Sequence, residues 1–248
     1  MRIAVLSDVH GVLPALEAVL AEPDVTTADL IVLTGDIAAG PLPVETLDLL
    51  TTLGERALWV RGNADRELVE VARGRASPWP ISQWAGQRLR QDQVELLAAL
   101  PERQVVQAGR LGTALFVHAT PRGDEETILV DSALERWAEV LAGEEADLIV
   151  MGHTHMPFVR LADRVMAVNP GSVGMPYGRP GAHWALLDGE SGSVTLRNTP
   201  LDARRTGERL IAESGFEGIA QFVDEYVMQV HSDAEALRAF AKAEQRPR

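Results

Sequence analysis

The chain has 248 residues, 46% hydrophobic and 24% charged, a balance that fits a packed globular protein with one large core and excludes a disordered or fibrous one. Its 23 basic and 36 acidic residues leave a net charge of −13, so neither duplex nucleic acid nor a membrane is an expected partner. With no cysteine, disulfides, thiolate metal sites and thiol nucleophiles are excluded, and the lone lysine, Lys242, rules out a Walker-type phosphate loop or a Schiff base in the core.

The N-terminal apolar stretch is six residues long before it meets Ser7 and Asp8, too short for a secretory signal or a membrane span, and a cytoplasmic protein is expected. Short apolar runs of strand length recur at Ile3 to Leu6, Leu30 to Leu33, Ala57 to Val60, Thr113 to Val117 and Leu148 to Met151. Helical spacing of apolar residues marks Leu13 to Ala21, Val44 to Leu53, Asp92 to Leu100 and Ser132 to Ala142, with Pro101 closing the third. The alternation predicts an α/β fold. Further on, Arg164 to Val168, His183 to Leu187 and Ser193 to Leu196 are strand-like with no helix between them, which predicts partly antiparallel pairing. Residues 66 to 100 read as a mostly helical insertion, and residues 201 to 246 as a C-terminal extension of two or three helices, on a single domain spanning 1–248. Either helical segment is placed to cap a site. Trp79 and Trp84, within the first, suit base stacking or simple packing.

Ligand sites in open α/β sheets lie at the carboxyl ends of strands. Five such ends here carry metal-binding residue types: Asp8 and His10, Asp36, Asn63, His118, and the pair His153 and His155. Each alone has a plainer reading, Asp as a turn former and His118 as a hydrogen-bonded strand-end residue. The set is harder to dismiss. Four of the six histidines lie at these termini, His183 and His231 being the others, and His153 and His155 alternate on extended chain so that they point the same way. Two carboxylates, four imidazoles and an amide suit two transition metals bridged by one Asp, with manganese first and iron, zinc, cobalt or nickel as further fits. Such a pair of ions clamps the attacking and leaving oxygens of a phosphoryl displacement.

The ordered series D-x-H, G-D, G-N-x-D, H and G-H-x-H, from Asp8 to His155, resembles the calcineurin-like metallophosphoesterases, and NPGSVG at 169 to 174 resembles their small bacterial and archaeal phosphodiesterase branch. The resemblance implies a sandwich of two β-sheets flanked by helices. It further implies that Asp8, His10, Asp36 and His155 hold one ion and Asp36, Asn63, His118 and His153 the other, with a hydroxide shared by the ions as nucleophile. Asp36, Asn63 and His118 are on that basis the catalytic candidates as well. Many members of the superfamily carry histidine where this chain has Ala64, a residue that assists the departing oxygen. Alanine moves no proton, and general acid assistance contributes about 10² to 10⁴ in rate. The expected substrates are therefore phosphodiesters or phosphoanhydrides, dinucleoside polyphosphates included, with better leaving groups than an alkyl monoester. A serine/threonine-type protein phosphatase is the alternative within the enzyme reading. A noncatalytic scaffold, as in one relative that is a retromer subunit, is the alternative outside it. Arg122 and Arg179, on loops near the metal motifs, are candidate phosphate contacts. Asn169 to Ser172 suit a loop-positioning role or ordinary turn chemistry. Asp65 is left to cap the next helix or to hold a ligand histidine.

Overall fold

A computed structural model describes residues 1–244 of the chain. In chain order it contains strand β1 (Arg2–Leu6), helices α1 (Leu13–Leu20) and α2 (Pro23–Thr26), β2 (Leu30–Leu33), α3 (Pro43–Thr51) and β3 (Ala57–Trp59). Three helices follow, α4 (Asn63–Ala72), α5 (Pro80–Arg88) and α6 (Gln91–Ala98), then β4 (Arg103–Gln107), β5 (Thr113–Val117), α7 (Leu134–Val140) and β6 (Leu148–Val150). The remainder is β7 (Phe158–Ala162), β8 (Val165–Asn169), β9 (Ala182–Asp188), β10 (Ser193–Thr199), α8 (Ala203–Glu213), α9 (Ile219–Val223) and α10 (Asp233–Glu244). Of the helical extension expected to reach residue 246, residues 245 and 246 lie outside the described residues.

The strands form two five-stranded sheets, ordered β10-β9-β1-β2-β3 and β4-β5-β6-β8-β7. Parallel pairs β1–β2, β2–β3, β5–β6 and β6–β8 make the sheet centres, while β9, β10, β4 and β7 join antiparallel. The mixed pairing matches the expectation from the helix-free second half. Strand alternation sorts the side chains into layers. Ile3 and Val5 face Phe116, Leu148 and Val150 in an inter-sheet core, whereas Ala4 and Leu6 pack with the helices on the outer face. On the far face, Leu115, Val117 and Ile149 pack with Trp137 of α7. The result is the helix–sheet–sheet–helix sandwich that the resemblance implied.

Two strands have no counterpart among the apolar runs. β4 and β7 are sheet edges in which exposed and partly buried residues alternate, so neither presents a continuous hydrophobic stretch. β7 turns into β8 through Asp163 and Arg164, both at positive φ (42° and 72°), as a two-residue hairpin of right-handed twist requires. Prolines in the first turn of α1, α2, α3 and α5 preset φ where the helix has no use for an N–H. Among the described residues no helix is long and apolar enough to cross a membrane.

Candidate metal centre

Every parallel central strand delivers its following loop to one end of the sandwich, and five of the seven predicted ligands sit there in left-handed backbone conformation. The φ angles are 53° at Asp8, 47° at His10, 53° at Asp36, 64° at His153 and 57° at His155. Such conformations cost non-glycine residues of order 1–3 kcal/mol each and persist only where the surroundings over-determine them. Here the loops after β1 and β2 are laced by backbone bonds of 3.0 Å from Asp8 to Gly35, His10 to Asp36 and Gly11 to Ile37. The Gly152 N–H donates to the His118 carbonyl at 2.6 Å. Glycine is required at the closest approaches: a Cβ on Gly62 would lie 2.2 Å from Asp36 Oδ1, and one on Gly152 would lie 1.9 Å from Ser7 Oγ.

The first cluster is Asp8, His10 and His155. His155 Nδ1 faces the Met175 carbonyl at 2.8 Å and His10 Nδ1 faces that of Ala39 at 3.3 Å, which turns both Nε2 atoms inward, 3.2 Å apart. Asp8 Oδ2 accepts from the Ser7 hydroxyl at 2.5 Å and from the His153 N–H at 3.1 Å. Its other oxygen, Oδ1, is buried without a hydrogen-bond partner and stands 3.2 Å from His155 Nε2.

The second cluster is Asp36, His118 and His153, with Asn63 beside them. His118 Nδ1 meets the Thr34 carbonyl at 2.7 Å, leaving Nε2 at 3.0 Å from Asn63 Oδ1 and 3.4 Å from Asp36 Oδ1. The same amide oxygen stands 3.1 Å from His153 Nδ1 and 3.2 Å from the Asp124 carbonyl. With both imidazoles neutral, acceptors thus face acceptors. Rotating the amide would relieve this with N–H donors, but the convergence of lone pairs is also what a cation satisfies. Asp36 reaches toward both clusters, its Oδ2 lying 3.8 Å from His10 Nε2.

The electrostatics make the same demand. Burial opposes a charge on His118, but Asp36, then Asp8 and the Thr34 carbonyl, overcome it and push the ring up to about 10. Burial opposes ionisation of Asp36, yet His118, His10 and His153 hold its carboxyl well below the usual range. Burial and the neighbouring His118 push His153 down to about 4, toward the neutral imidazole a metal needs. Two buried carboxylates therefore call for positive charge among imidazoles whose Nδ1 protons are mostly committed to carbonyls. An orphaned carboxylate oxygen, converging lone pairs and a nitrogen and oxygen donor set fit two divalent transition ions.

Asp65 is fully buried and holds no histidine. Its Oδ2 accepts from the N–H groups of Asp36 and Gly62 and its Oδ1 from that of Ile37, each at 2.9 Å. It caps α4 through Gly62 and at the same time clamps the loop that presents Asp36. Burial and the Asp36 charge push it up to about 7, against the pull of the Ile37 and Gly62 donors. Ala64 contributes its N–H to Asp36 Oδ1 at 2.7 Å, and its methyl group is 6% exposed.

Other predicted residues fall differently. Asn169 donates to the Gly152 carbonyl at 2.7 Å and Ser172 to the Asp8 carbonyl at 2.7 Å, so this segment does position the ligand loops. His183 is buried between the Arg179 carbonyl and the Asn198 amide, away from both clusters. Arg122 is paired with Glu139 at 2.7 Å and Glu126 at 3.2 Å, and Arg179 is exposed on the loop before β9. The C-terminal helical segment, expected to be placed to cap a site, does reach the centre through α10, by residues the sequence did not single out. Phe240 lies edge-on to His153 with ring centres 6.2 Å apart and to Tyr177 at 6.1 Å, and Tyr177 lies 6.0 Å from His155. No spacing rule joins residue 240 to residue 153, so the residues that make the contact were not foreseen.

The sequence model of one family, described as the calcineurin-like phosphoesterase superfamily domain, matches residues 1–192. Phosphodiesterase YfcE of Escherichia coli (strain K12) is 26% identical over 208 residues, 80% of this chain and 93% of that protein. The symmetrical bis(5'-nucleosyl)-tetraphosphatase of Klebsiella pneumoniae (strain 342) is 32% identical over 131 residues, 51% of this chain and 46% of that protein. Among solved structures, a metallophosphoesterase from Sphaerobacter thermophilus superposes with a TM-score of 0.74 at 27% identity, covering 92% of this chain and 99% of that one.

Proposed function

The chain belongs to the calcineurin-like phosphoesterase superfamily, a family of metal-dependent hydrolases, and from that premise we propose that it cleaves phosphodiesters or phosphoanhydrides, dinucleoside polyphosphates among them. The observation that carries the reading is the pair of buried clusters with Asp36 between them and acceptor atoms turned on one another. Asp8, His10, Asp36 and His155 would hold one divalent ion and Asp36, Asn63, His118 and His153 the other, with manganese the expected metal. When bound, two such ions acidify water and draw charge from phosphoryl oxygens.

The chain's own residues do the rest. Carbonyls of Ala39, Thr34 and Met175 fix three imidazole tautomers, and Asp65 fixes the backbone of Asp36. Asn63, His10 and His153 are the half-buried members, so solvent and substrate reach the centre past them. At position 64 the chain offers a methyl group and no proton, which favours leaving groups that depart as anions. The names of the two curated relatives, a phosphodiesterase and a dinucleoside tetraphosphatase, support those two substrate classes. The test is a panel of bis-p-nitrophenyl phosphate, diadenosine tetraphosphate and a phosphoserine peptide, each with manganese or nickel. Turnover of either of the first two is expected. Hydrolysis confined to the phosphopeptide would replace the proposal with a protein phosphatase, and no turnover of any would end it.

A further inference from the structure

A cavity of about 220 Å³ opens from Asn63 along α4, and Trp79 forms part of its wall. Trp79 stands apart from the other tryptophans. Trp137 and Trp184 are fully buried, Trp59 and Trp84 pack against the core, and Trp79 is 64% exposed. Its exposure is not that of a loose side chain on a loose loop. Pro78 and Pro80 flank it, its N–H donates to Ser77 Oγ at 2.9 Å, and that hydroxyl donates to Glu67 of α4 at 2.7 Å. The Ser77 N–H is taken up by Gln83 at 2.8 Å. The backbone that presents the indole is thus held before anything binds, which lowers the ordering cost of using it as an apolar plate.

The charges on the wall say what lies against that plate. Glu67, Glu70 and Glu125 line the cavity with one cation, Arg66. Arg66 is already engaged by Asp124 at 3.0 Å and Glu125 at 2.7 Å, and Glu70 pairs with Arg75, outside the wall, at 3.2 Å, which still leaves carboxylates in excess. The wall is therefore net negative, so it repels phosphate and accepts from N–H and O–H donors. The occupant must be planar, rich in donors and free of phosphate, while any phosphoryl group joined to it stays at the Asn63 end.

We propose that this cavity is a nucleoside subsite, in which Trp79 stacks on the base and the carboxylates of Glu67, Glu70 and Glu125 accept its amino and hydroxyl protons. The inference rests on the phosphoesterase reading only for the placing of the phosphoryl group at the metal centre. Stacking of a base on an aromatic side chain corresponds to about 5- to 150-fold in affinity.

Adenosine, which carries no phosphate, is titrated into the full chain while the indole N–H resonances are followed. The Trp79 resonance should shift saturably, and adenosine affinity read by titration calorimetry should fall about 5- to 150-fold in Trp79→Ala and recover in part in Trp79→Phe. In kinetics, Trp79→Ala should raise KM for diadenosine tetraphosphate by the same 5- to 150-fold with little change in kcat, and so lower its kcat/KM relative to inorganic tripolyphosphate. A Trp79 resonance untouched by adenosine, or a KM ratio that Trp79→Ala leaves in place, overturns the subsite while the phosphoesterase reading stands. Adenosine binding at Trp79 in a protein that hydrolyses no phosphate compound supports the subsite and overturns the catalytic reading instead.

Discussion

Asp65 offers the sharpest quantitative test of how the centre is built. Replacing it with alanine strands three buried N–H donors, those of Asp36, Ile37 and Gly62, each of which now donates to the carboxylate at 2.9 Å. Above about pH 7, where Asp65 is ionised, hydrogen bonds to its charged oxygens are worth about 1.5–3 kcal/mol each, which sets an upper range of roughly 5–9 kcal/mol. Water entering the emptied space recovers part of that, and we expect Asp65→Ala to cost about 3–5 kcal/mol, a large share of the roughly 5–15 kcal/mol that holds a domain folded. Asp65→Asn keeps one carbonyl oxygen, enough for the Asp36 and Gly62 donors, and turns an amide N–H₂ toward that of Ile37. Its cost should be smaller, about 2–3 kcal/mol. Both substitutions slacken the backbone that holds Asp36 at φ 53°, so manganese affinity should fall about 10- to 100-fold without loss of any ligand. Urea unfolding reads the first effect and calorimetric manganese titration the second. An unmoved urea midpoint together with parental manganese affinity in Asp65→Ala would refute the clamp.

Three further outcomes follow from the same geometry. Removing metal with EDTA should lower the melting temperature by about 10–20 °C, because two sites each saturated at 100 times Kd add about 5 kcal/mol; a melting curve indifferent to chelator would mean that the clusters do not hold ions. Ala64→His should raise hydrolysis of alkyl monoesters relative to aryl diesters by at least about tenfold, at a stability cost of about 1–3 kcal/mol because the site is only 6% exposed; an unchanged substrate ratio would remove the leaving-group argument. Phe240→Ala should speed metal loss to EDTA, since Phe240 covers His153; equal stripping rates would show that α10 does not screen the centre.

What the sequence disclosed and what it hid divide along a physical line. Continuous apolar runs gave β2 and β5 to the residue, because strands buried on both faces leave no polar alternation to misread. β4 and β7 escaped because an edge strand is half solvated and its pattern resembles a loop. At the centre, side-chain types and their order were enough to single out Asp8, His10, Asp36, Asn63, His118, His153 and His155, which the fold gathers into two clusters. The carbonyls of Thr34, Ala39 and Met175 were invisible, since every residue has one and only the fold says which faces a ring. That the C-terminal helices cap a site was legible, but which residues do so was not, for a contact between positions 153 and 240 is a property of tertiary packing alone.

Position 64 and its neighbour separate two roles that the superfamily resemblance had joined. If Asp65 existed to orient a proton-donating histidine, it would have no task beside an alanine, and a buried carboxylate without a task is expensive. Instead its two oxygens take three backbone donors, one of them from Asp36, the residue that stands between the two clusters. The aspartate is thus needed whether or not a histidine precedes it. At the left-handed turn of Asp36, a carboxylate at the third position of α4 accepts the backbone N–H and caps the helix in one group. On the proposed reading, the absence of an acid at position 64 would alter which leaving groups depart readily while the candidate ligands stay in place. That combination is the physical ground for expecting a diester or anhydride hydrolase from this chain.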